Sequence, residues 1–497
     1  MLESRDTMKS VWAFDIGASN GRLILNSYDG RKMFAKEIYR FSNYPALLTN
    51  HYYWDILHLF TQMKTAMRLS IQQGHEVESM GIDTWGVDFG LLAANGELLA
   101  NPYSYRNSNN VIGMKHTLQT ISSDRLFQKT GVEIAPINTL FQLLTIKLNY
   151  PQLLEKADQL LMMPNLLAYF FSGIKNNEFT ISTTTQMLDP EAMDWDTTIL
   201  DMLEIDRNIL SPVVPPLSIA GETLPAINEE LQIDPIKVIN VPGHDTACAL
   251  AAMPLEDDQS VFMSCGTWVI IGIPVKKPVT KDQAMKWGFT NEGTIEGSYR
   301  LQKNMTGMWL LQQCRIIWER EGMATDFEEE NRLFKQAEAF YAFINPDDRR
   351  FFNPNNMVNA IKEYCRETNQ RIPETRGQII RCILESLVLK YGLVIKRLEK
   401  LSGMKLKRIH MSGGAIRNQH LCQLIANATD LDVLAGPVES SSIGNAISQW
   451  LTLGEMETLQ EARKVVQRSF PIQHYQPRDG KEWEPAYQRF LKYMEEE

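Results

Sequence analysis

A chain of 497 residues with 44% hydrophobic and 22% charged side chains reads as a soluble globular polypeptide of about two to three domains. Its formal net charge of −10 is the wrong sign for a general polyanion binder, so nucleic acid is not an expected partner. A small phosphorylated ligand stays open, because backbone amides and a metal hold phosphate without net positive charge.

No run of 18 or more uncharged apolar residues occurs, so no membrane partner is expected. The opening MLESRDTMKS is charged and lacks the apolar core of a secretory signal, which makes the cytoplasm the expected location. The 6 cysteines include no C-x-x-C pair and form neither a disulfide scaffold nor a zinc spacing. Reduced thiols are expected, with Cys365 and Cys382 the two that could approach in space.

In chain order, the first signal is FDIGASNGRLILNSYDG, residues 14 to 30. A hydrophobic strand, Val11 to Ile16, carries Asp15 into a turn bearing Gly17 and Gly21 and leaves through Leu23 to Leu25. Trp54 to Gln73 has helical periodicity with Asp55 near its start, and Val77 to Ile82 is a short strand entering DTWGVDFG. Asn95-Gly96, between apolar runs, predicts a tight turn. VPGHDTACALAAM, residues 241 to 253, reads as a loop into a helix from Ala247, capped by Asp245 or Thr246.

PLEDDQ, residues 254 to 259, is a candidate domain boundary. Beyond it, SVFMSCGTWVIIGIPV repeats strand, glycine turn, strand, so two domains of similar design are expected. LQKNMTGMWLLQQ places Asn304 and Gln312 at the border of an apolar helix. Thr375 to Leu401 is the strongest predicted helix, stopped at Ser402-Gly403. Residues 408 to 436 read as strand, Gly413-Gly414 turn, helix, strand, and in ESSSIGNAISQW a serine triplet is expected to cap a helix. The expected division is 1–255, 256–454 and a peripheral helical tail, 455–497.

The chain has no G-x-x-x-x-G-K-[ST], no G-x-G-x-x-G and no protein-kinase H-R-D with D-F-G, so a nucleotide would be held by another scheme. Glycine turns offer one, since backbone N–H groups at Gly17, Gly21 and Gly266-Thr267 can approach phosphate. The Asp15 carboxylate repels phosphate unless Mg²⁺ or its water lies between them, and Arg22 is a natural phosphate partner. Asp245 at a helix start is either a cap or an ionised general base, and the two readings are compatible. His244 either orients its neighbour or touches substrate. Asp83, Thr84, Trp85 and Asp88 offer polar groups beside a flat ring, as a sugar site needs; the alternative is a turn around a core tryptophan.

The ordered set FDIGASNGRLIL, GIDTWGVDF, GHDTA, SCGTWVIIG, KNMTGMWLLQ and SGGAIRNQHLCQLIANAT resembles the FGGY carbohydrate kinases over Val11 to Leu453. The resemblance implies an α/β, actin-like (ribonuclease H-like) fold of two domains with mixed sheets and an interdomain cleft. It places ATP at Ala18, Ser19, Asn20, Gly21 and Arg22, at Gly266 and Thr267, and at Gln312, Gly413 and Gly414. Sugar contacts fall to Gly86, His244, Asp245, Thr246 and Asn304, joined by Asp83 and Trp85 from the turn chemistry. Asp245 is the implied catalytic base, and Mg²⁺ is expected at Asp15 and Asp245. The implied activity is ATP-dependent phosphorylation of a ketose 1-hydroxyl, with L-rhamnulose the first substrate and L-fuculose or L-xylulose the alternatives. The rival from another class is an actin-like ATPase or sugar-binding protein without transferase activity.

Overall fold

The computed structural model describes residues 8–255, 257, 259–478 and 480–494. Residues 1–7 of the charged opening, 256 and 258 of the expected boundary, and 479 and 495–497 of the tail lie outside them. The chain opens with strands β1 (Lys9–Ile16), β2 (Asn20–Tyr28) and β3 (Met33–Ser42), then helix α1 (Ile56–Gln72) and strand β4 (Ser79–Thr84). Strands β5 (Ser218–Glu222) and β6 (Lys237–Asn240) lead to helix α2 (Asp245–Ala252). Then come β7 (Ser260–Cys265), β8 (Trp268–Val275), β9 (Tyr299–Thr306) and helices α3 (Trp309–Arg320) and α4 (Arg376–Ser402). The last elements named are β10 (Arg408–Ser412), α5 (Gln419–Thr429), β11 (Asp432–Ala435), α6 (Ser440–Leu453) and β12 (Gln473–Tyr475).

Two compact units result, one of Met1–Pro254, Pro274–Leu301 and Glu439–Phe470, the other of Leu255–Ile273, Gln302–Val438 and Pro471–Glu497. They differ from the contiguous blocks 1–255, 256–454 and 455–497, because α6 packs on α2 and β1 in the first unit. The tail is also more than peripheral: Val465 and Val466 are fully buried, and β12 adds a strand beside β11.

The first unit is built on a sheet in the order β5-β6-β4-β1-β2-β3. Residues 11–16 of β1 are buried without alternation, as a central strand covered on both faces requires. β1 is antiparallel to β2 and parallel to β4, and that register sets Asp15 opposite Asp83. In the second unit β7 is likewise antiparallel to β8 and parallel to β10, which continues through β11 to β12. The two predicted hairpins therefore share one mixed-sheet topology, and the fold is the expected α/β, actin-like one.

Helix α1 is capped by Asp55, which accepts from the His58 N–H at 3.0 Å. Helix α4 starts at a capping box, Thr375 with Gln378, and ends at Gly403 with φ +73°. The serines 440–442 do not cap α6 as expected; they form its first turn, and the capping position is Glu439. All 6 cysteines are free and buried, Cys365 and Cys382 among them. No helix among the described residues is long and apolar enough to cross a membrane.

The α2–α6 contact depends on Gly444, where an added Cβ would lie 1.8 Å from the Cys248 carbonyl oxygen. Along the same face Gln449 donates to the Trp12 carbonyl at 2.9 Å and to Asn445 Oδ1 at 2.7 Å, while Ser79 donates to Gln449 at 2.6 Å. Backbone cannot yield as a flexible side chain does, so Gly444→Ala is expected to lower unfolding free energy by about 1–3 kcal/mol. Urea titration measures it, and an unchanged midpoint would show that the helices separate without cost.

Candidate active site

The turn after β1 is tied down by backbone. Gly17 N–H donates to the Asn20 carbonyl at 2.9 Å, and the Asn43 amide donates to the Gly17 carbonyl at 2.8 Å. Ala18, Ser19 and Asn20 are left at least partly open to solvent. Gly21 is not part of that opening: its missing Cβ makes room for the Phe41 ring, which would otherwise be 2.4 Å away.

Arg22 is placed differently from the expected phosphate contact. Its Nη2 and Nε donate to Asp15 Oδ2 at 2.7 and 3.2 Å, and its Nη1 pairs with Glu439. All three guanidinium nitrogens are thus engaged by carboxylates. Burial alone would lower the Arg22 pKa, but the Asp15 and Glu439 charges turn the balance upward. Burial raises the Asp15 carboxyl, with Arg22 opposing.

Asp83 is also not a sugar contact in this geometry, being fully buried beside Asp15. Asn445 of α6 donates to its Oδ2 at 2.7 Å, and its buried Oδ1 has no hydrogen-bond partner. Burial, then the charge of Asp15, pushes this carboxyl well above its ordinary value. Trp85 is a core side chain rather than a sugar wall. It is 6% exposed, stands 4.2 Å from the Trp54 ring centroid, and donates its indole N–H to Asp88 at 2.9 Å. Asp88 also takes the Trp54 indole at 2.6 Å, the Gln142 amide at 2.8 Å and the Tyr105 N–H at 3.2 Å, so it organises the turn from within.

The loop before α2 comes from Gly243. Its N–H donates to Glu178 at 2.8 Å, and Glu178 also accepts from Thr180 and Ile181 N–H. His244 is the helix cap, not Asp245 or Thr246: its Nδ1 accepts the Thr246 N–H at 3.1 Å. Gly86 brings the neighbouring turn against the imidazole, where a Cβ would meet the ring at 3.1 Å. Asp245 Oδ1 lies 3.1 Å from both His244 Nδ1 and the Thr246 hydroxyl. Its side chain is 33% exposed, far more than the 10% of Asp15. Burial would raise the Asp245 pKa, yet the neighbouring His244 imidazole and the Thr246 hydroxyl hold it below the usual carboxylate value. An ionised, accessible carboxylate at a helix start is equipped to accept a proton.

In the second unit, Gly266 N–H closes its turn onto the Trp268 carbonyl at 2.8 Å. The Gly266 and Thr267 carbonyls accept from Met308, Gly307 and Trp309 N–H groups at the start of α3, and the Thr267 hydroxyl donates to Gln312 at 3.3 Å. Gly413 has φ +88°, and a Cβ there would lie 2.5 Å from the Cys265 carbonyl oxygen, so the third turn packs on the end of β7. Gly414 and Asn304 are exposed.

Asp15 and Asp245, with Glu439 on Arg22 and the Asp83 carboxyl beside Asp15, bring together more carboxyl groups than the Arg22 guanidinium pairs. Among the described residues no three His, Cys, Asp or Glu side chains form a protein-only metal cage. Mg²⁺ asks for less, usually one or two carboxylates plus waters and phosphate oxygens. Asp15 and Asp245, with the surplus charge and the orphaned Asp83 oxygen around them, fit that demand.

Sequence reasoning missed Glu439, Asn445, Glu178, Glu292 and Arg300. The first two reach the cluster only because the 439–470 segment folds into the first unit. Glu292 and fully buried Arg300 form an ion pair, and Glu292 Oε2 stands 3.7 Å from His244 Nε2. Their one local signal was a pair of charges in a strand-like stretch.

Comparison with known proteins gives two contiguous matches, where the compact units of the structure are interleaved along the chain. Residues 10–252 match the N-terminal domain, and 261–453 the C-terminal domain, of the FGGY family of carbohydrate kinases. The chain is 39% identical to a rhamnulokinase of Bacteroides thetaiotaomicron, covering 97% of this chain and 99% of that one. It is 35% identical to a rhamnulokinase of Oceanobacillus iheyensis, covering 93% and 97%. Its fold is similar to a xylulose kinase of Lactobacillus acidophilus, with TM-score 0.80, 15% identity and 97% of each chain covered. It is similar also to a Plasmodium falciparum glycerol kinase with ADP, with TM-score 0.80, 14% identity and 99% of each chain covered.

Burial pushes Glu178 up to about 7, against its hydrogen bonds from Thr180, Gly243 and Ile181, and pushes Asp88 up to about 6. Carboxyls with folded pKa above the unfolded value take up protons on folding. Their contribution is complete below the unfolded value and is lost as pH rises through the folded one. Their contribution to stability is therefore expected to fall between about pH 4 and 7, and Glu178→Gln to flatten that slope by up to about 1.4 kcal/mol per pH unit. Urea titrations across the range read the slope; an unaltered slope in the variant would rule out Glu178 as a titrating group.

Proposed function

The chain belongs to the FGGY family of carbohydrate kinases and is a carbohydrate kinase, and from that premise we propose that it transfers the γ-phosphate of ATP to the 1-hydroxyl of L-rhamnulose. The observation that carries the chemistry is Asp245, ionised at the start of α2 and more open than Asp15 or Asp83. The sugar assignment is supported by relatives at 35–39% identity over nearly their whole length, each of them a rhamnulokinase.

In this reading Asp245 accepts the proton of the sugar 1-hydroxyl as that oxygen attacks the γ-phosphorus in line. The terminal phosphoryl group moves to the sugar oxygen and ADP leaves. Thr246 steadies the carboxylate through its hydroxyl, and His244 and Gly86 border the sugar. Asn304 in the second unit is the remaining proposed sugar contact. The nucleotide is assigned to the 18–22 turn, to Gly266 and Thr267, to Gln312 and to Gly413-Gly414. Within the first turn the open backbone of Ala18 to Asn20 is the contact, since Gly21 is covered by Phe41 and the Arg22 guanidinium is held by carboxylates. Asp15 and Asp245 would hold Mg²⁺, which supplies charge neutralisation of the phosphate oxygens when bound. Positioning and charge stabilisation carry most of the rate in phosphoryl transfer, and the chain provides both with a fixed base and fixed turns.

ADP release from Mg²⁺–ATP across a panel of L-rhamnulose, L-fuculose and L-xylulose is expected to favour L-rhamnulose. Asp245→Asn should lower kcat about a hundred- to ten-thousandfold. Sugar-independent ADP release that survives Asp245→Asn would contradict the transferase reading and favour an ATPase.

A further inference from the structure

Val87 lies in a backbone conformation that a β-branched residue rarely adopts. Its φ is +69°, and across it the Asp88 N–H donates to the Gly86 carbonyl at 2.9 Å. Residues 86–88 therefore form a γ-turn of the positive-φ kind, which is strained. Strain of this sort persists only where the surroundings over-determine the backbone.

Here three side chains do so. Thr184 Oγ1 accepts the Val87 N–H at 3.1 Å, and the Val87 carbonyl accepts from the Thr139 hydroxyl at 2.6 Å and the Gln142 amide at 3.3 Å. Thr184 is set for the task, because its own proton goes to the Ile181 carbonyl at 2.7 Å and leaves a lone pair for Val87. The Ile181 N–H is held at 3.2 Å by Glu178 Oε2, the same oxygen that takes the Gly243 N–H at 2.8 Å. One carboxylate thus anchors both the Thr184 clamp and the Gly243–His244 loop. The two meet at Gly86, where an added Cβ would lie 3.1 Å from the His244 ring and 3.3 Å from the Thr184 methyl.

We propose that Thr184, with Thr139, is a positioning residue that holds the strained turn at Val87 and so keeps the Gly86 backbone against His244 in the sugar site. The role rests on the assignment of Gly86 and His244 to that site. Without the clamp Val87 relaxes toward negative φ, the Gly86–Asp88 bond opens, and the sugar-competent turn becomes a minority state. Apparent affinity falls with the population of the competent state, so the ketose is bound more weakly while the nucleotide is not.

The test is steady-state kinetics with Mg²⁺–ATP and L-rhamnulose, paired with urea titration. Thr184→Val keeps the shape and removes the acceptor; it should raise KM for the ketose about 5–50-fold and leave KM for ATP within about twofold. Thr184→Ser keeps the hydroxyl and should restore the ketose KM to within about threefold of wild type. Glycine takes a positive φ without strain, so Thr184→Val/Val87→Gly should recover most of the lost ketose affinity. A general loss of packing would give neither the split between the two KM values nor the recovery. An unchanged ketose KM in Thr184→Val, an equal rise in both KM values, or no recovery in the double variant overturns the proposal. Should Thr184→Val not fold, Thr139→Val with and without Val87→Gly makes the same comparison. If wild type phosphorylates no ketose, the kinase reading fails and the sugar role with it. Urea midpoints then judge the clamp alone, which requires Val87→Gly to be better tolerated in Thr184→Val than in wild type.

Discussion

One guanidinium among four carboxylates is the constraint around which the first unit is arranged. Arg22 bonds Asp15 directly and pairs with Glu439, while Asp83 and Asp245 lie within the same field without an ion pair to it. Charges removed from water are costly unless paired, and breaking a buried pair costs more than the pair contributes. The cluster therefore fixes its carriers. β1 and β4 set Asp15 and Asp83 side by side, the turn into β2 brings Arg22 across, and the start of α6 supplies Glu439. Only Asp245 keeps an open face. The surplus negative charge is what a cation-bound triphosphate would complete, and the single open carboxylate is where a proton can be received.

Holding that arrangement takes unusual packing. Helix α6 sits on α2 with no room for a side chain at Gly444, and its Asn445 and Gln449 reach Asp83, Trp12 and Ser79 through buried hydrogen bonds. A polar network of this sort is tolerable only because its amides find partners. It ties α6, which packs on the helix that starts at Asp245, to the strand that carries Asp83. The second unit repeats the strand-turn-strand theme around Gly266 with a different device, backbone carbonyls that hold the first turn of α3.

The topology of both hairpins was legible from hydrophobic runs broken by glycine, since strand and turn propensities are local. So was α4, whose capping box and glycine stop lie within the segment itself. The cap of α2 was not: His244 replaces the expected Asp245 or Thr246 because an imidazole nitrogen can accept an amide N–H as a carboxylate does. Trp85 reads in sequence as a flat surface beside polar groups, but Asp88 draws its indole N–H inward and Trp54 covers its face. Arg22 reads as a free cation because Glu439, more than 400 residues away, is invisible to any local argument. Glu178 and Glu292 were missed although Thr180, Ile181 and Arg300 lie close to them in sequence, because the Gly243–His244 loop they border comes from another segment.

The most direct test of the account is the identity of the product. ³¹P-NMR of a reaction with L-rhamnulose and Mg²⁺–ATP should show one phosphomonoester whose phosphorus couples to the two C1 protons of the ketose, formed mole for mole with ADP. Inorganic phosphate as the sole phosphorus product, or a phosphoryl group on any other carbon, would contradict the placement of Asp245 as the base for the 1-hydroxyl.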